Sequence, residues 1–312
     1  MAKIGNSDLD VYGLNLGGNV FGWTADKQQS FTVLDAYAAA GGNFVDTADS
    51  YMARVPGNSG GESETIIGEW LAGRGNRDEF VIATKVGSWA KRPGLSARNI
   101  REAAEDSLRR LQTDHIDLYY AHKPDPDTPL EETLAAFDEL VRAGKVRYIA
   151  GSNYTAEGLA EALSISDKNG LARFVALQPH YNLVEREFEQ DLAPLLQQEG
   201  LSCLPYFSLA KGFLTGKYRS REANADSPRA EGAVSYLDHR GERVLEALDE
   251  IAAAHGSSPA AVSLAWLAAQ PTVAAPIASA RNTEQLADLV ASVELRLTSD
   301  ELARLSDASS TN

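Results

Sequence analysis

The 312-residue sequence contains a single cysteine, Cys203, so no disulfide can form within the chain. The apolar run around it, 201–206, predicts a buried strand in which the thiol acts as a small core residue. No apolar stretch approaches the roughly 18 residues that a membrane-spanning helix needs, and the first five residues lack the apolar segment of a signal peptide. These absences favour a soluble, cytoplasmic protein.

Basic residues are scarce relative to acidic ones. The chain has 29 Lys and Arg against 44 Asp and Glu, a net charge of −15. Surfaces that bind nucleic acid or anionic membranes need clustered Lys and Arg, so we expect neither partner. A small anionic ligand in a local basic pocket is compatible with this net negative charge.

Several site motifs are also missing. The sequence has no Gly-x-Gly-x-x-Gly turn and no Gly-Lys-Ser/Thr phosphate loop, which argues against a doubly wound dinucleotide-binding sheet. Only five histidines are present, and only His122 and His180 lie near predicted strand ends. We therefore expect no metal site, which would need clustered His and carboxylate ligands.

What the sequence does have is an alternation of short apolar runs with amphipathic stretches. The eight runs are Leu14–Gly17, Asn43–Val45, Phe80–Ala83, Ile116–Ala121, Val146–Ala150, Phe174–Leu177, Leu201–Tyr206 and Val273–Ile277. Between them, apolar residues recur at three- and four-residue steps, as in helices that face a core. Eight strands alternating with helices in about 300 residues predict a (β/α)8 barrel forming one domain over 1–312.

Two further features modify this barrel. The opening residues, Ala2–Gly5 and Leu9–Tyr12 around a polar turn, predict an N-terminal hairpin. Ser208–Asp238, after the seventh strand, is a long polar segment that we interpret as a lid or specificity loop.

Four polar side chains stand at or just beyond the ends of successive predicted strands: Asp46, Tyr51, Lys85 and His122. In a parallel barrel all these ends open onto the catalytic face. A phenol donates a proton at neutral pH only if its anion is stabilised, and an ammonium with a carboxylate counter-charge provides that. Singly, the residues have plainer interpretations: a capping carboxylate, a surface lysine, a packing tyrosine and a structural histidine.

The sequence around these residues resembles the aldo-keto reductase family. The similar segments, in family order, are 43–51, 82–85, 118–125, 144–153, 177–182, 212–217 and 276–281. The resemblance implies Tyr51 as general acid, Lys85 and Asp46 as the groups that lower its pKa, and His122 as the residue that orients a substrate carbonyl. It also implies that NADP(H), rather than NAD(H), binds in an extended form.

The resemblance assigns a larger set of residues to the cofactor. These are Ser152, Asn153 and Gln178 at the carboxamide, Tyr206 against the nicotinamide ring, Ser208, Leu209, Lys211 and Gly212 along the pyrophosphate, and Ile277, Ser279, Arg281 and Gln285 at the adenosine. Arg281 also precedes a predicted helix, where an anion is favoured, and its guanidinium suits a 2′-phosphate. The sequence departs from the family pattern at two places. Phe207 and Ser208 differ from the usual residues of the loop that passes over the pyrophosphate. Leu289 stands where a common Asn would hydrogen-bond the adenine.

A substrate pocket is predicted from Trp23, Met52, Trp89 and Phe207, which favour an apolar or aromatic carbonyl compound. The chain ends soon after a predicted helix at Glu301–Ser306, so we expect an open pocket that accepts varied aldehydes and ketones. Two alternatives remain: an NADP(H)-binding redox sensor or partner subunit with slow turnover, and a barrel hydrolase or isomerase without nicotinamide. The sequence does not specify the oligomeric state.

Overall fold

The structure is a computed structural model that describes residues 1–220 and 230–310. The chain opens with a hairpin in which β1 (Ala2–Lys3) pairs antiparallel with β2 (Asp10–Val11). Ile4, Leu9 and Val11 are buried and pack with the residues that fill the barrel interior. The predicted hairpin is therefore present, and it covers the N-terminal end of the barrel strands.

Eight parallel strands follow. They are β3 (Asn15–Gly17), β4 (Phe44–Asp46), β5 (Val81–Val86), β6 (Ile116–Ala121), β7 (Val146–Ser152), β8 (Phe174–Gln178), β9 (Ser202–Cys203) and β10 (Ile277–Ala278). Their order in the sheet is β10-β3-β4-β5-β6-β7-β8-β9. A bridge between Cys203 and Val273 and a hydrogen bond from the Ile277 amide to the Pro205 carbonyl join the two ends. The predicted (β/α)8 barrel is confirmed.

Several strand limits differ from the predicted runs, and those of β5, β9 and β10 differ most. β5 continues to Val86, which puts Lys85 within a strand rather than beyond one. β9 and β10 are only two residues long, although the apolar runs around them are longer. Pro205 and Pro276 lie in those runs, and a proline has no N–H to donate to a neighbouring strand.

Helices surround the barrel. Those in the described residues are α1 (Lys27–Ala39), α2 (Glu62–Arg74), α3 (Ala97–Leu111), α4 (Leu130–Arg142), α5 (Ala156–Asn169), α6 (Phe188–Glu199), α7 (Ala230–Val234), α8 (His239–His255), α9 (Pro259–Ala268), α10 (Thr283–Glu294) and α11 (Ser299–Ala308). The side chain of Ser96 caps α3 by accepting a hydrogen bond from the Asn99 amide. Within residues 1–220 and 230–310, no helix is both long and apolar enough to span a bilayer.

The segment predicted as a long loop, Ser208–Asp238, contains a 3₁₀ helix at Ala210–Thr215 and the short α7. Its middle part, 221–229, lies outside the described residues. The 3₁₀ helix begins directly beyond β9 and the turn that follows it, on the catalytic face of the barrel. This placement brings its backbone and Lys211 to the same mouth as the strand ends.

Candidate active site

Lys85 is the centre of the polar cluster inside the barrel mouth. Alternate residues of β5 face inward, so Lys85 follows Val81 and Ala83, which pack in the interior. Its side chain is 0% exposed, and its ammonium donates to Asp46 Oδ2 at 2.5 Å, to the Tyr51 hydroxyl at 2.8 Å and to the Thr47 carbonyl at 2.7 Å. Burial lowers the pKa of Lys85, and the charge of Asp46 opposes that shift.

Asp46 is the last residue of β4, and its carboxylate is 1% exposed. Besides Lys85, Oδ2 accepts the Tyr51 hydroxyl at 3.1 Å, and Oδ1 accepts Gln178 Nε2 at 2.9 Å. Tyr51 itself lies in the turn beyond β4, where its amide bonds back to the Ala48 carbonyl. The structure thus brings Asp46, Tyr51 and Lys85 into one hydrogen-bonded unit, in which both carboxylate oxygens have partners.

His122 follows β6 and meets the Tyr51 ring edge-on, with ring centroids 6.1 Å apart. Burial, together with the nearby charges of Lys85 and then Lys123, lowers the pKa of His122 to about 3. The imidazole is therefore neutral at physiological pH. A neutral ring at this position can hydrogen-bond a carbonyl oxygen without placing a second positive charge beside Lys85.

This pKa leads to a prediction for the histidine spectrum. Followed by NMR, the ring resonances of His122 should not titrate between pH 5 and 8, because protonation of the folded protein begins only near pH 3. The resonances would be assigned by their loss in His122→Gln. A histidine peptide in the same buffers, which titrates near pH 6.5, is the control. A midpoint for His122 between 6 and 7 would contradict the burial and charge argument.

A cavity of about 1140 Å³ opens above this cluster. It runs from Tyr51 and His122 across the barrel mouth to the start of α10. Every residue that the sequence assigned to catalysis, cofactor or substrate lines it, with the exception of Lys85. Lys85 lies beneath the surface and is connected to the cavity wall by its hydrogen bonds to Tyr51 and Asp46.

Amide and hydroxyl groups meet at the wall of the cavity next to His122. Asn153 has a left-handed backbone conformation (φ 61°), and its Nδ2 donates to the His122 carbonyl at 2.9 Å. The Tyr206 hydroxyl donates to Asn153 Oδ1 at 2.8 Å. The His180 ring stacks on one face of Tyr206, with centroids 5.3 Å apart and planes 12° apart. These contacts fix Tyr206 as a flat aromatic element of the wall.

A second part of the cavity wall is rich in cations. Phe207, Ala210 and Lys211 all have positive φ, so the chain doubles back tightly at the start of the 3₁₀ helix. Lys211, Lys217 and Arg281 line the cavity, and none has a carboxylate partner within the described part of the chain. The amides at the start of α10 face the same part, and the Asn282 side chain caps that helix.

Nearly the whole chain matches one protein family. The model of the "Aldo/keto reductase family" matches residues 13–310. The chain belongs to the aldo/keto reductase family. It is 36% identical to Protein tas of Escherichia coli, covering 97% of this chain and 95% of that protein. It is 37% identical to the uncharacterized oxidoreductase YrpG of Bacillus subtilis, with 97% and 94% covered. Family membership, predicted from the motifs, is confirmed.

A more distant relative has a named substrate. Norsolorinic acid reductase A of Aspergillus parasiticus is 31% identical over 91% of this chain and 72% of that protein. The family and these relatives identify the chain as an oxidoreductase of the aldo/keto reductase type. They do not specify its substrate.

Sequence reasoning missed part of the cavity lining of this aldo/keto reductase. The residues that it did not assign include Asn19, Thr24, Ser50, Arg54, Ser88, Lys91, Lys217, Tyr218 and Ser258. Asn19 accepts a hydrogen bond of 2.6 Å from the assigned Ser279. Its position directly after the first barrel strand was a usable signal, since every loop at that end borders the mouth. In the described residues, no group of three or more His, Cys, Asp or Glu is placed to hold a metal ion.

Proposed function

We propose that this protein is an NADP(H)-dependent reductase of aldehydes and ketones, with Tyr51 as the proton donor. The observation that supports it best is the position of the Tyr51 hydroxyl. It borders a large cavity while bonded from below to a buried ammonium and a buried carboxylate. A hydroxyl held in this way can release a proton to a carbonyl oxygen in the cavity, because Lys85 stabilises the phenolate that remains.

Each residue of the polar cluster has its own role in the proposed reduction. Tyr51 gives its proton to the carbonyl oxygen, while neutral His122 orients that oxygen with a hydrogen bond. Asp46 keeps Lys85 charged in a site where burial disfavours charge. When bound, the reduced nicotinamide supplies the hydride that the carbonyl carbon needs. The same groups serve the reverse alcohol oxidation, in which the Tyr51 phenolate accepts the proton.

The fit of a phosphorylated dinucleotide rests on this chain's own residues. The cavity is lined both by a flat aromatic wall at Tyr206 and by the cations Lys211, Lys217 and Arg281. Asn153 and Gln178 offer amide groups beside Tyr206, as a carboxamide requires. The cations without carboxylate partners match phosphate groups in charge. We propose that Ser152, Ser208, Leu209, Gly212, Ile277, Ser279 and Gln285 complete this site.

The test measures the loss of NADPH absorbance in the presence of an activated aromatic aldehyde. The alcohol is identified as the product. Aldehyde-dependent consumption is expected, since Trp23, Met52, Trp89 and Phe207 give the cavity an apolar and aromatic wall. Tight NADPH binding with no turnover for any of a panel of aldehydes and ketones would instead support a redox sensor or partner subunit. Absence of NADPH binding would contradict the proposal.

Arg281 is expected to set the preference for the phosphorylated cofactor. It is exposed at the cavity edge, where its guanidinium can pair with a 2′-phosphate. Arg281→Ala should raise KM for NADPH about 10- to 100-fold, as loss of one charge-assisted contact implies, and leave KM for NADH within about 2-fold. Arg296→Ala removes an exposed arginine outside the cavity and is the matched control. Equal effects of Arg281→Ala on both cofactors would contradict this role.

A further inference from the structure

The charge of the cavity is opposite to that of the molecule. The chain carries a net charge of −15, yet five cations line the cavity: Arg54, Lys91, Lys211, Lys217 and Arg281. Among the residues that the structure describes, only two acidic ones line it, Asp46 and Asp288. The charge of Asp46 is matched by Lys85, so the cavity as a whole favours anions.

The cofactor phosphates of the proposed function account for only three of these cations. Lys211, Lys217 and Arg281 stand beyond β9 and β10, which are neighbours in the closed barrel. The strand order around the barrel begins β10-β3-β4-β5. Arg54 follows β4 and Lys91 follows β5. They therefore stand across the mouth from the phosphate end, in the loops that carry Tyr51 and Trp89.

The charges of Arg54 and Lys91 are also not neutralised by the protein. Both side chains are exposed, and neither has a carboxylate within salt-bridge distance in the described residues. The adjacent Arg92, by contrast, forms ion pairs with Asp106 at 2.7 Å and with Glu102 at 3.6 Å. Lys91 Nζ instead lies 5.9 Å from the centroid of the Trp89 ring. A cation over an aromatic wall remains available to an anion in the cavity.

We propose that the substrate is an aldehyde or ketone that carries a carboxylate remote from its carbonyl, and that Arg54 and Lys91 bind this carboxylate. The inference rests on the proposed function and specifies its substrate class. Met52 and Trp89, from the same two loops, line the same cavity and supply apolar surface for the body of such a substrate. The carbonyl end would meet Tyr51 while the carboxylate stays at the mouth. The carboxylate itself is unchanged in the reaction.

The test compares two aromatic aldehydes of similar shape, one anionic and one neutral. 4-Carboxybenzaldehyde and its neutral methyl ester, methyl 4-formylbenzoate, are reduced with saturating NADPH at low ionic strength. Wild-type kcat/KM should favour the carboxylate. The double variant Arg54→Gln/Lys91→Gln should lower kcat/KM for the carboxylate about 10- to 100-fold, mainly by raising KM. It should change kcat/KM for the ester by less than about 2-fold. Raising the salt to about 0.15 M, where the Debye length falls to about 8 Å, should reduce the carboxylate preference.

Lys168→Gln is the matched control, because it removes an exposed positive charge outside the cavity lining. It should leave the carboxylate preference nearly unchanged. Equal loss on both substrates in the double variant, or a wild type that reduces the ester at least as well as the carboxylate, would overturn the inference and leave the reductase function standing. Failure of the wild type to reduce either aldehyde would count against the proposed function itself.

Discussion

Tyr51→Phe is expected to lower kcat for aldehyde reduction by about 10³-fold or more, since it removes the only hydroxyl that Lys85 and Asp46 share. The loss should appear in kcat rather than in KM, because the proton transfer is made in the transition state. The dissociation constant for NADPH, measured by fluorescence titration, should stay within about 2-fold. The phenyl ring that remains still fills the same part of the cavity wall.

A matched substitution separates the chemistry from the loss of any tyrosine hydroxyl. Tyr154 is buried at 4% exposure, its hydroxyl has no hydrogen-bond partner in the described residues, and it does not line the cavity. Tyr154→Phe should therefore retain nearly full activity. Activity of Tyr51→Phe comparable to wild type would refute its role as the proton donor.

Lys85→Met is expected to reduce both activity and stability. The ammonium stabilises the developing phenolate, and loss of one such preorganised donor typically costs about 10²- to 10³-fold in kcat. The substitution also leaves the buried Asp46 carboxylate without its counter-charge, which costs about 3–5 kcal/mol of unfolding free energy. Urea unfolding followed by circular dichroism measures the second effect independently of catalysis.

Two double variants distinguish these consequences. Lys85→Met/Asp46→Asn removes both charges, so much of the lost stability should return while activity stays low. Lys85→Met/Tyr51→Phe should be scarcely slower than Tyr51→Phe alone, because Lys85 acts on the reaction through the Tyr51 hydroxyl. Multiplicative losses in this second variant would mean that Lys85 contributes by another route.

The sequence predicted the fold because the alternation of short apolar runs and helical stretches extends along the whole chain, and eight such strands without the glycine-rich turn of a doubly wound sheet favour a barrel. Strand lengths were less predictable. The apolar runs near Pro205 and Pro276 suggested full strands, but the barrel closes there through short pairings. Hydrophobicity records burial, whereas the length of a strand also depends on available N–H donors.

The candidate site was predictable where strand ends defined it. Asp46 and Lys85 occupy inward positions of their strands, and alternation within a strand determines which residues face inward. Arg54 and Lys91 could not be placed in the same way, because their loops have no periodicity that relates sequence position to direction. A solvated arginine and a cavity-lining arginine look alike in sequence, and the fold decides between them.

The central claim is direct hydride transfer from the nicotinamide to a carbonyl carbon, with the proton coming through Tyr51. Its most direct test uses NADPH deuterated at nicotinamide C4, on each face in turn, with mass spectrometry of the alcohol formed from an aromatic aldehyde. The account predicts deuterium on the carbinol carbon from one of the two labelled cofactors, and none after Tyr51→Phe beyond its residual rate. An alcohol with no deuterium on that carbon from either labelled cofactor would contradict it.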